Sequence, residues 1–247
     1  MATLSGKSVL VTGANRGIGK AVVAELLERG VARVYAGTRQ PLDHPDGRVV
    51  PLTLDITDSA QVAAAAETVG PLDLLVNNAG LALLGDDLSD DAMLEQHMAV
   101  NLFGTYRVTQ AFLPALLESR GAILTMLSTS SWANMPLLPG YSVSKAASYS
   151  LTQGLRAHLA PRGVRVHAAI IGVVDTDMTA LFDIPKAAPD DVARRILDGL
   201  ERDEDEIFPD VNSEMLAEPW QGGFLKAMEV EYAALVAAPA PTPDAAE

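Results

Sequence analysis

The sequence predicts an α/β fold in which a doubly wound parallel sheet of about seven strands is covered by helices on both faces. Three observations lead to this prediction. Short apolar stretches alternate with stretches of helical periodicity along most of the chain, a pattern typical of parallel sheets. A glycine-rich turn separates the first apolar stretch from the first helical one. The length of 247 residues suits one large domain with a substantial core.

The predicted elements follow in order along the chain. The strands are Ser8 to Val11, Arg33 to Gly37, Val49 to Leu54, Leu72 to Asn77, Ala122 to Leu127, Arg165 to Ile171 and a short Glu206 to Phe208. The helices are Ile18 to Arg29, Ser59 to Val69, Asp90 to Leu117, Tyr141 to Leu159 and Pro189 to Glu201, followed by an amphipathic segment from Phe224 to Val236. We expect residues 1–236 to form a single domain and residues 237–247, rich in Pro and Ala, to be a disordered tail.

The first strand leads into the glycine-rich turn Thr12-Gly13-Ala14-Asn15-Arg16-Gly17-Ile18-Gly19, and a helix follows. Glycines let a backbone turn tightly and approach a pyrophosphate, and a helix N-terminus offers unpaired N–H groups to an anion. A glycine-rich stretch alone is often only a loop, but the order of strand, turn and helix predicts a Rossmann-type dinucleotide site.

Tyr141 and Lys145 lie four residues apart in a predicted helix, so their side chains share one face. A neighbouring ammonium group favours the phenolate, and we therefore expect Lys145 to lower the pKa of Tyr141 and prepare it for proton transfer. Taken alone, this spacing arises often by chance and usually indicates a packed aromatic side chain beside a solvated amine.

Together these motifs resemble the short-chain dehydrogenase/reductase family over about residues 4 to 200. The resemblance rests on Thr12 to Gly19, on Asn77-Asn78-Ala79-Gly80 after the fourth strand, and on Tyr141 and Lys145. It implies that Asn101, Ser128, Tyr141 and Lys145 are the catalytic residues. Ser128 precedes Tyr141 by 13 residues, the interval typical of the family, so Ser128 is favoured and Ser130 is the alternative.

The resemblance also implies the roles of these residues. Tyr141 would exchange a proton with the substrate oxygen, Ser128 would donate a hydrogen bond to that oxygen, and Lys145 would hold the nicotinamide ribose. Asn101 would support a water that links Lys145 to solvent, unless its amide only bonds to backbone. The implied cofactor contacts are Gly13, Asn15, Arg16, Gly17, Ile18, Gly19, Thr38, Arg39, Asp55, Ile56, Asn77, Ala79, Gly80, Tyr141, Lys145, Gly172, Val174 and Thr176. The chain departs from the family at Ile171, where a proline is usual.

The end of the second strand favours NADP(H) over NAD(H). Thr38 and Arg39 occupy the place where NAD-binding proteins usually carry an acidic residue. A guanidinium group fits a 2′-phosphate, and Arg16 in the glycine turn adds a second basic group. The alternative is that both arginines are solvated surface charges.

Composition excludes several function classes. The absence of cysteine excludes disulfides, thiolate catalysis and cysteine-based zinc sites. A formal charge of −14 argues against binding nucleic acid or an anionic membrane surface. No transmembrane or signal segment is evident, so we expect a cytoplasmic protein, and no metal site is predicted.

We expect an apolar substrate pocket from Leu81 to Leu84, Trp132 to Leu138 and Asp177 to Ala188. Its candidate lining residues are Leu81, Ser130, Trp132, Met135, Met178 and Phe182, although Trp132 and Met135 equally suit ordinary packing. The sequence therefore predicts an NADP(H)-dependent ketone reductase for an apolar or bulky small molecule. A non-redox enzyme of the same fold, such as an isomerase or dehydratase, and a nicotinamide-binding regulatory protein are the alternatives.

The C-terminal part departs furthest from the family. The acidic run Asp203 to Glu206 is expected to be a solvated surface turn. The residues that usually build the family's tetramer interface are missing there. The sequence thus favours a homodimer, paired through the helices Asp90 to Leu117 and Tyr141 to Leu159, over a tetramer.

Overall fold

The strands of the sheet are all parallel, as the sequence predicts. The computed structural model describes residues 3–85, 88–89 and 91–237. The strands are β1 (Ser8–Thr12), β2 (Arg33–Thr38), β3 (Val49–Thr53), β4 (Leu74–Asn77), β5 (Ala122–Ser128), β6 (Arg165–Ile171) and β7 (Glu206–Ile207). Their order in the sheet is β3-β2-β1-β4-β5-β6-β7, so the chain reverses its winding direction between β1 and β4. Residues at the carboxyl ends of β1 and β4 therefore meet at this switch point.

Helices cover both faces of the sheet. They are α1 (Gly17–Glu28), α2 (Ser59–Thr68), α3 (Ala92–His97), α4 (Thr105–Ser119), α5 (Pro139–Leu159), α6 (Pro189–Glu201), α7 (Val211–Glu214), α8 (Ala217–Gln221) and α9 (Phe224–Ala237). One apolar layer packs α1 and α6 on the sheet, and a second packs α2 and α4 on the other face. Both faces of the strands are therefore buried, which explains their continuous apolar runs.

The predicted helix from Asp90 to Leu117 is wrong as a single regular helix. Asp90 lies outside the described residues, and α3 and α4 are joined by a π-helical stretch, Met98–Gly104. Such stretches often occur at functional sites, because they change which residues face inward. Asn101 lies at the centre of this stretch and is buried.

The prediction of a solvated acidic turn is wrong for Glu206, which belongs to β7 and is almost fully buried. Its carboxylate contacts Arg156 Nη1 at 2.6 Å and Lys226 Nζ at 2.8 Å. These basic groups come from α5 and α9, far away in the sequence, so the run itself gave no sign of them. The pairing attaches α9 to the body of the domain.

Two predictions for the C-terminal part remain, one for the segment before residue 237 and one for the tail after it. The amphipathic segment from Phe224 is helical, as α9 shows. The predicted tail beyond residue 237 lies outside the described residues. Among those described, no helix combines the length and apolar character needed to cross a membrane.

Candidate active site

The glycine turn adopts backbone conformations that favour glycine. Gly13 and Gly17 have φ angles of +67° and +52°, in the left-handed region. At Gly19, a Cβ atom would lie 2.3 Å from the carbonyl oxygen of Gly13. The turn can therefore approach a ligand closely only because these positions lack side chains.

Asn78 and Thr12 fasten the turn to the end of β4. Asn78 Nδ2 donates to the carbonyl oxygens of Thr12 at 2.9 Å and Gly13 at 3.1 Å. Thr12 Oγ1 accepts from the N–H groups of Asn78 and Ala79, each at 3.0 Å. Both residues belong to motifs identified in the sequence, but the sequence predicts no role for either of them. The signal for that role is the side chain's capacity to pair with orphan backbone groups at a strand end.

The N-terminus of α1 fits the pyrophosphate of a dinucleotide. Arg16 is its N-cap, no side chain caps the helix, and no acidic side chain lies in its first turn. The first N–H groups of a helix need an acceptor, and an anion supplies one. Asn15 and Arg16 are exposed beside this end, and Ile18 packs partly into the core.

A cleft of about 490 Å³ opens beside α1. It is lined by Asn15, Arg16, Gly17, Lys20, Ala21, Ala24, Asp175, Thr176, Asp177, Pro189 and Asp190. Arg16 Nη1 lies 3.2 Å from Asp177 Oδ2, and both side chains are largely exposed. Arg16 is therefore available to an anionic ligand at little cost, because exposed ion pairs contribute only about 0–1 kcal/mol.

The two residues proposed to select the cofactor differ in accessibility. Thr38 is buried, and its hydroxyl donates to the carbonyl oxygen of Gln40 at 2.6 Å. Arg39 is exposed and forms no ion pair with the described residues. Of the two, Arg39 is the one whose side chain is open to solvent.

Asp55 and Ile56 follow β3. Asp55 Oδ1 accepts from the N–H of Thr57 at 2.8 Å and from its hydroxyl at 2.7 Å, while Asp58 caps α2. Capping α2 is thus not the role of Asp55. Ile56 is buried, and its side chain packs against Gly104, where a Cβ atom would lie 2.8 Å from it.

The segment after β4 passes close to the candidate catalytic groups. Asn77 is buried and its Nδ2 donates to Thr109 Oγ1 at 3.0 Å. A Cβ atom on Gly80 would lie 3.4 Å from Asn101 Oδ1 and 3.7 Å from Lys145 Nζ. Gly80 therefore adjoins both polar groups.

The loop after β6 stays ordered despite Ile171 in place of the family's proline. Asp210 Oδ2 accepts from the N–H of Gly172 at 2.8 Å, and a Cβ atom on Gly172 would lie 2.4 Å from the other carboxylate oxygen. Val174 is buried and pairs with Ala187 as an isolated β-bridge. The buried Asp210, which sequence reasoning missed, thus holds the loop. Its distance along the chain gave no local signal.

Thr176 lies against the glycine turn. Its methyl carbon would be 3.2 Å from a Cβ atom on Gly17. The two loops predicted to hold the cofactor are therefore neighbours in the fold.

Ser128 and Tyr141 form the first part of the candidate catalytic group. Ser128 ends β5 and is buried, and its hydroxyl adjoins the Tyr141 phenol as a hydrogen-bonding group that lowers the pKa of that phenol. Ser128 Oγ also accepts from the N–H of Ser130 at 3.1 Å, and Ser131 Oγ accepts from the N–H of Ser128 at 3.4 Å. The backbone of Ser130 and the side chain of Ser131 therefore hold the loop around Ser128.

The predicted direction of the Tyr141 pKa shift is wrong for this structure. Burial raises the pKa of Tyr141, and the hydrogen bond with Ser128 opposes this change only in part. Loss of hydration penalises the phenolate, so the neutral phenol is the favoured form. A neutral phenol is the form able to donate a proton.

Lys145 is buried beside Tyr141. Its Nζ lies 5.7 Å from the centroid of the Tyr141 ring and donates to the carbonyl oxygen of Met126 at 2.8 Å. Burial lowers the pKa of Lys145 to about 8. A group that titrates there can exchange protons near neutral pH.

Asn101 joins the π-helical stretch to its surroundings. Asn101 Oδ1 accepts from the N–H of Leu81 at 2.8 Å, and its Nδ2 donates to the Leu81 carbonyl at 2.9 Å and to Ser144 Oγ at 2.8 Å. Its own carbonyl oxygen accepts from Ser148 Oγ at 3.0 Å. The backbone-bonding role that the sequence left open is thus present, and it holds Leu81 and α5 in place. The water relay stays a prediction.

An apolar cavity of about 290 Å³ is lined mainly by the residues that follow Ser128 in the chain. It is lined by Thr129, Ser130, Trp132, Ala133, Asn134, Met135 and Leu216. Three predicted pocket residues, Ser130, Trp132 and Met135, therefore share one cavity. Leu81, Met178 and Phe182 are not part of its lining, and Leu216 was not predicted.

Trp132 also packs in an aromatic group, so it both lines the cavity and takes part in ordinary packing, while its contact with substrate stays a prediction. Its ring stacks on Trp220 at 4.5 Å between centroids, and Tyr149 and Phe208 contact it edge-on.

Comparison with protein families gives a match over most of the chain. A family model described as short chain dehydrogenase matches residues 7–185. An uncharacterized oxidoreductase of Staphylococcus aureus (strain USA300) is 35% identical over 219 residues, covering 80% of this chain and 92% of the relative. Oxidoreductase UcpA of Salmonella typhimurium is 32% identical over 231 residues, covering 81% and 86% respectively.

Solved structures resemble the fold closely. A short chain dehydrogenase from Burkholderia cenocepacia, in complex with NADP, is 36% identical with a TM-score of 0.85, covering 96% of this chain and all of that one. A 3-ketoacyl-(acyl-carrier-protein) reductase from Brucella melitensis, complexed with NADH, is 25% identical with a TM-score of 0.74, covering 86% and 94%. Both nicotinamide cofactors thus occur among the structures that resemble this chain.

Proposed function

The chain belongs to the short-chain dehydrogenase family of oxidoreductases, and from this premise we propose that it is an NADP(H)-dependent reductase of apolar ketones. One observation carries the proposal. The Tyr141 phenol, a buried amine and a buried serine converge at the end of β5, beside an apolar cavity and next to a glycine turn that fits a dinucleotide. This arrangement supplies a proton donor, a charge and a hydrogen bond to a carbonyl oxygen.

Tyr141 acts as the proton donor in reduction. A nicotinamide cofactor, held by the glycine turn and Lys145, would supply the hydride to the carbonyl carbon. As charge develops on the carbonyl oxygen, Tyr141 donates its hydroxyl proton to it, and Ser128 donates a hydrogen bond to the same atom. The raised pKa of Tyr141 keeps the phenol protonated until the substrate is present.

Lys145 stabilises negative charge on Tyr141 after the proton has moved. Its ammonium group lies beside the ring, where an opposite charge favours the phenolate. Its lowered pKa suits reprotonation of Tyr141 from solvent through Lys145. Asn101 positions Leu81 and α5 around this pair.

The preference for NADP(H) rests on Arg39 and Arg16. Arg39 is exposed and without an ion pair among the described residues, so it can bind a 2′-phosphate without first losing a partner. Arg16 lies in the glycine turn, and the ion pair that it forms with Asp177 is exposed to solvent. No acidic residue occupies the ribose position after β2.

The apolar cavity supports a ketone with an apolar substituent. Thr129 and Ser130 provide its polar edge, while Trp132, Met135 and Leu216 provide apolar surface. An isolated carboxylate would lose its hydration there without gaining a charged partner from the lining residues.

Homodimer formation through α4 and α5 belongs to the same proposal. Phe103, Tyr106 and Val143 are large apolar side chains exposed on or beside these helices. Light scattering after size exclusion measures the assembly directly, and a monomer would contradict this part.

The function is tested with purified protein, NADPH or NADH, and a panel of aromatic and aliphatic ketones, while nicotinamide absorbance is followed. We expect consumption of NADPH by the wild type and its loss in Tyr141→Phe. Binding of NADPH without consumption by any ketone would contradict the proposal and favour a regulatory protein. Substrate conversion without net nicotinamide change would favour non-redox chemistry.

A further inference from the structure

The cavity beside Ser128 has a wall that comes from a distant part of the chain. Leu216 immediately precedes α8, and it lies more than 80 residues after the rest of the lining. Its neighbour Met215 is 71% exposed and is not part of that lining. Leu216 of this C-terminal segment thus faces the cavity, while the residue before it faces solvent.

Trp220 supports the same wall from behind. The N–H of Trp220 donates to the carbonyl oxygen of Leu216 at 3.1 Å, so the two residues stand one helical turn apart. Trp220 stacks on Trp132, whose indole lines the cavity. Leu216 therefore contacts the cavity directly, and Trp220 does so through Trp132.

Packing alone fixes the position of the Trp132 ring. Neither Trp132 Nε1 nor Trp220 Nε1 has a hydrogen-bond partner among the described residues. Trp132 is held by its contacts with Trp220, Tyr149 and Phe208. Movement of α8 would therefore move Trp132 and change the shape of the cavity.

Charged groups on α9 hold this segment against the domain. Lys226 Nζ contacts Glu206 at 2.8 Å, Asp205 at 3.2 Å and Glu229 at 3.2 Å. Arg156 on α5 contacts Glu206 and Glu229. Since α9 follows α8 directly, this cluster restrains α8 and with it the wall.

We propose that the C-terminal segment 216–220 selects the substrate by size, with Leu216 as the residue that limits the apolar group accepted beside the carbonyl. This inference rests on the proposed function for its chemistry. A cavity of about 150 Å³ holds one benzene ring. The pocket here has a volume of about 290 Å³ and is partly open to solvent, so a ketone with a two-ring substituent is chosen as the large probe.

The test uses Leu216→Ala, Leu216→Phe and the control Met215→Ala. The chain contains two tryptophans, and both belong to this wall, so quenching of intrinsic emission reports ligand binding there. A ketone bearing two fused rings and a small aliphatic ketone are titrated into each protein with NADP+ present, which prevents reduction. Thermal unfolding checks that each variant folds, and kcat/KM for both ketones is then measured with NADPH.

We expect Leu216→Phe to weaken binding of the two-ring ketone by roughly tenfold or more relative to the small ketone, since differences of one methylene in an apolar pocket give about 10- to 200-fold. Leu216→Ala should shift the ratio in favour of the two-ring ketone, because it enlarges the pocket, and Met215→Ala should leave the ratio unchanged. Unchanged ratios in both Leu216 variants, or no quenching of the wild type by the two-ring ketone, would overturn the inference. Selective binding without turnover would support this site while refuting the reductase.

Discussion

Lys145 Nζ lies 5.7 Å from the centre of the Tyr141 ring, and Lys145 is buried beneath a Tyr141 side chain that is partly exposed. The first prediction concerns this pair. Tyr141→Phe removes the proton donor, and we expect kcat to fall by about 10²- to 10⁴-fold. NADPH binding should be retained, because the ring itself stays in place.

Tyr149→Phe is the matched control for this change. Tyr149 lies on the same helix but contacts Trp132 and Trp220 and has no place in the proton transfer. Its removal should leave kcat within severalfold of the wild type. Equal losses in both variants, measured by steady-state kinetics, would contradict the role of Tyr141.

The lowered pKa of Lys145 predicts a pH dependence of stability. The unfolded chain holds this proton up to about pH 10.5, and the folded protein holds it only up to about pH 8. Below pH 8 both states are protonated, so the burial penalty is fully present. Between these values the unfolded state binds more protons, and the free energy of unfolding rises with pH by an amount on the order of 3 kcal/mol.

Urea unfolding of the wild type and Lys145→Met tests this linkage at about pH 7 and about pH 9.5. Both lie below the ordinary tyrosine pKa of 10, above which the raised pKa of Tyr141 has its main effect on stability. The wild type should gain stability relative to the variant at the higher pH. A difference that is the same at both pH values would contradict a lowered pKa.

Arg39→Asp should reverse the cofactor preference. Loss of a charge-assisted hydrogen bond to the 2′-phosphate is expected to raise the Kd for NADPH by roughly ten- to a hundredfold, while the new carboxylate favours NADH. Arg162→Asp makes the same change in net charge on an exposed turn that precedes β6, away from the carboxyl ends of the strands. This control should change the Kd for NADPH little. A similar rise in Kd in both variants would mean that net charge, and not a contact made by Arg39, causes the effect.

The sequence predicts the sheet almost completely, because strands buried on both faces appear as continuous apolar runs. The π-helical stretch around Asn101 was not predictable in this way. Apolar periodicity records which side faces the core, and it does not record a change in backbone hydrogen bonding. The sequence also did not predict the burial of Glu206, since its partners Arg156 and Lys226 are distant in the sequence.

The candidate site shows the same division. The family resemblance placed Ser128, Tyr141 and Lys145, and the fold brings their side chains together. The residues that support the site are distant from it in the sequence. Asp210 accepts a hydrogen bond from Gly172, and Leu216 lines the cavity. Their residue types are common in loops, so only the tertiary arrangement reveals them.

Gly19→Ala should abolish cofactor binding without unfolding the domain. The added Cβ atom would lie 2.3 Å from the Gly13 carbonyl oxygen and 2.4 Å from Asn78 Nδ2, so the turn must move. Gly154→Ala on α5 is the control, since a Cβ atom there meets nothing within 4 Å. This control should gain about 0.5–1 kcal/mol, as expected for alanine over glycine within a helix. NADPH fluorescence on binding and thermal unfolding check both, and normal binding by Gly19→Ala would refute the close approach of the turn.

Glu206→Gln tests whether the buried ion cluster fastens α9. Glu206 has an exposed side-chain fraction of 3% and lies between Arg156 and Lys226. Removal of one charge from a buried pair leaves the other charge without compensation. We expect the free energy of unfolding to fall by about 3 kcal/mol, the lower end of the usual range, because both cations keep Glu229.

Glu204→Gln is the matched control: its carboxylate pairs with Arg202 near the surface, where such pairs contribute about 0–1 kcal/mol. Urea unfolding gives the two free energies, and proteolysis within α9 should accelerate only in Glu206→Gln. Equal stability losses, or unchanged proteolysis, would mean that α9 is held by apolar contacts with α5 and not by the charge cluster.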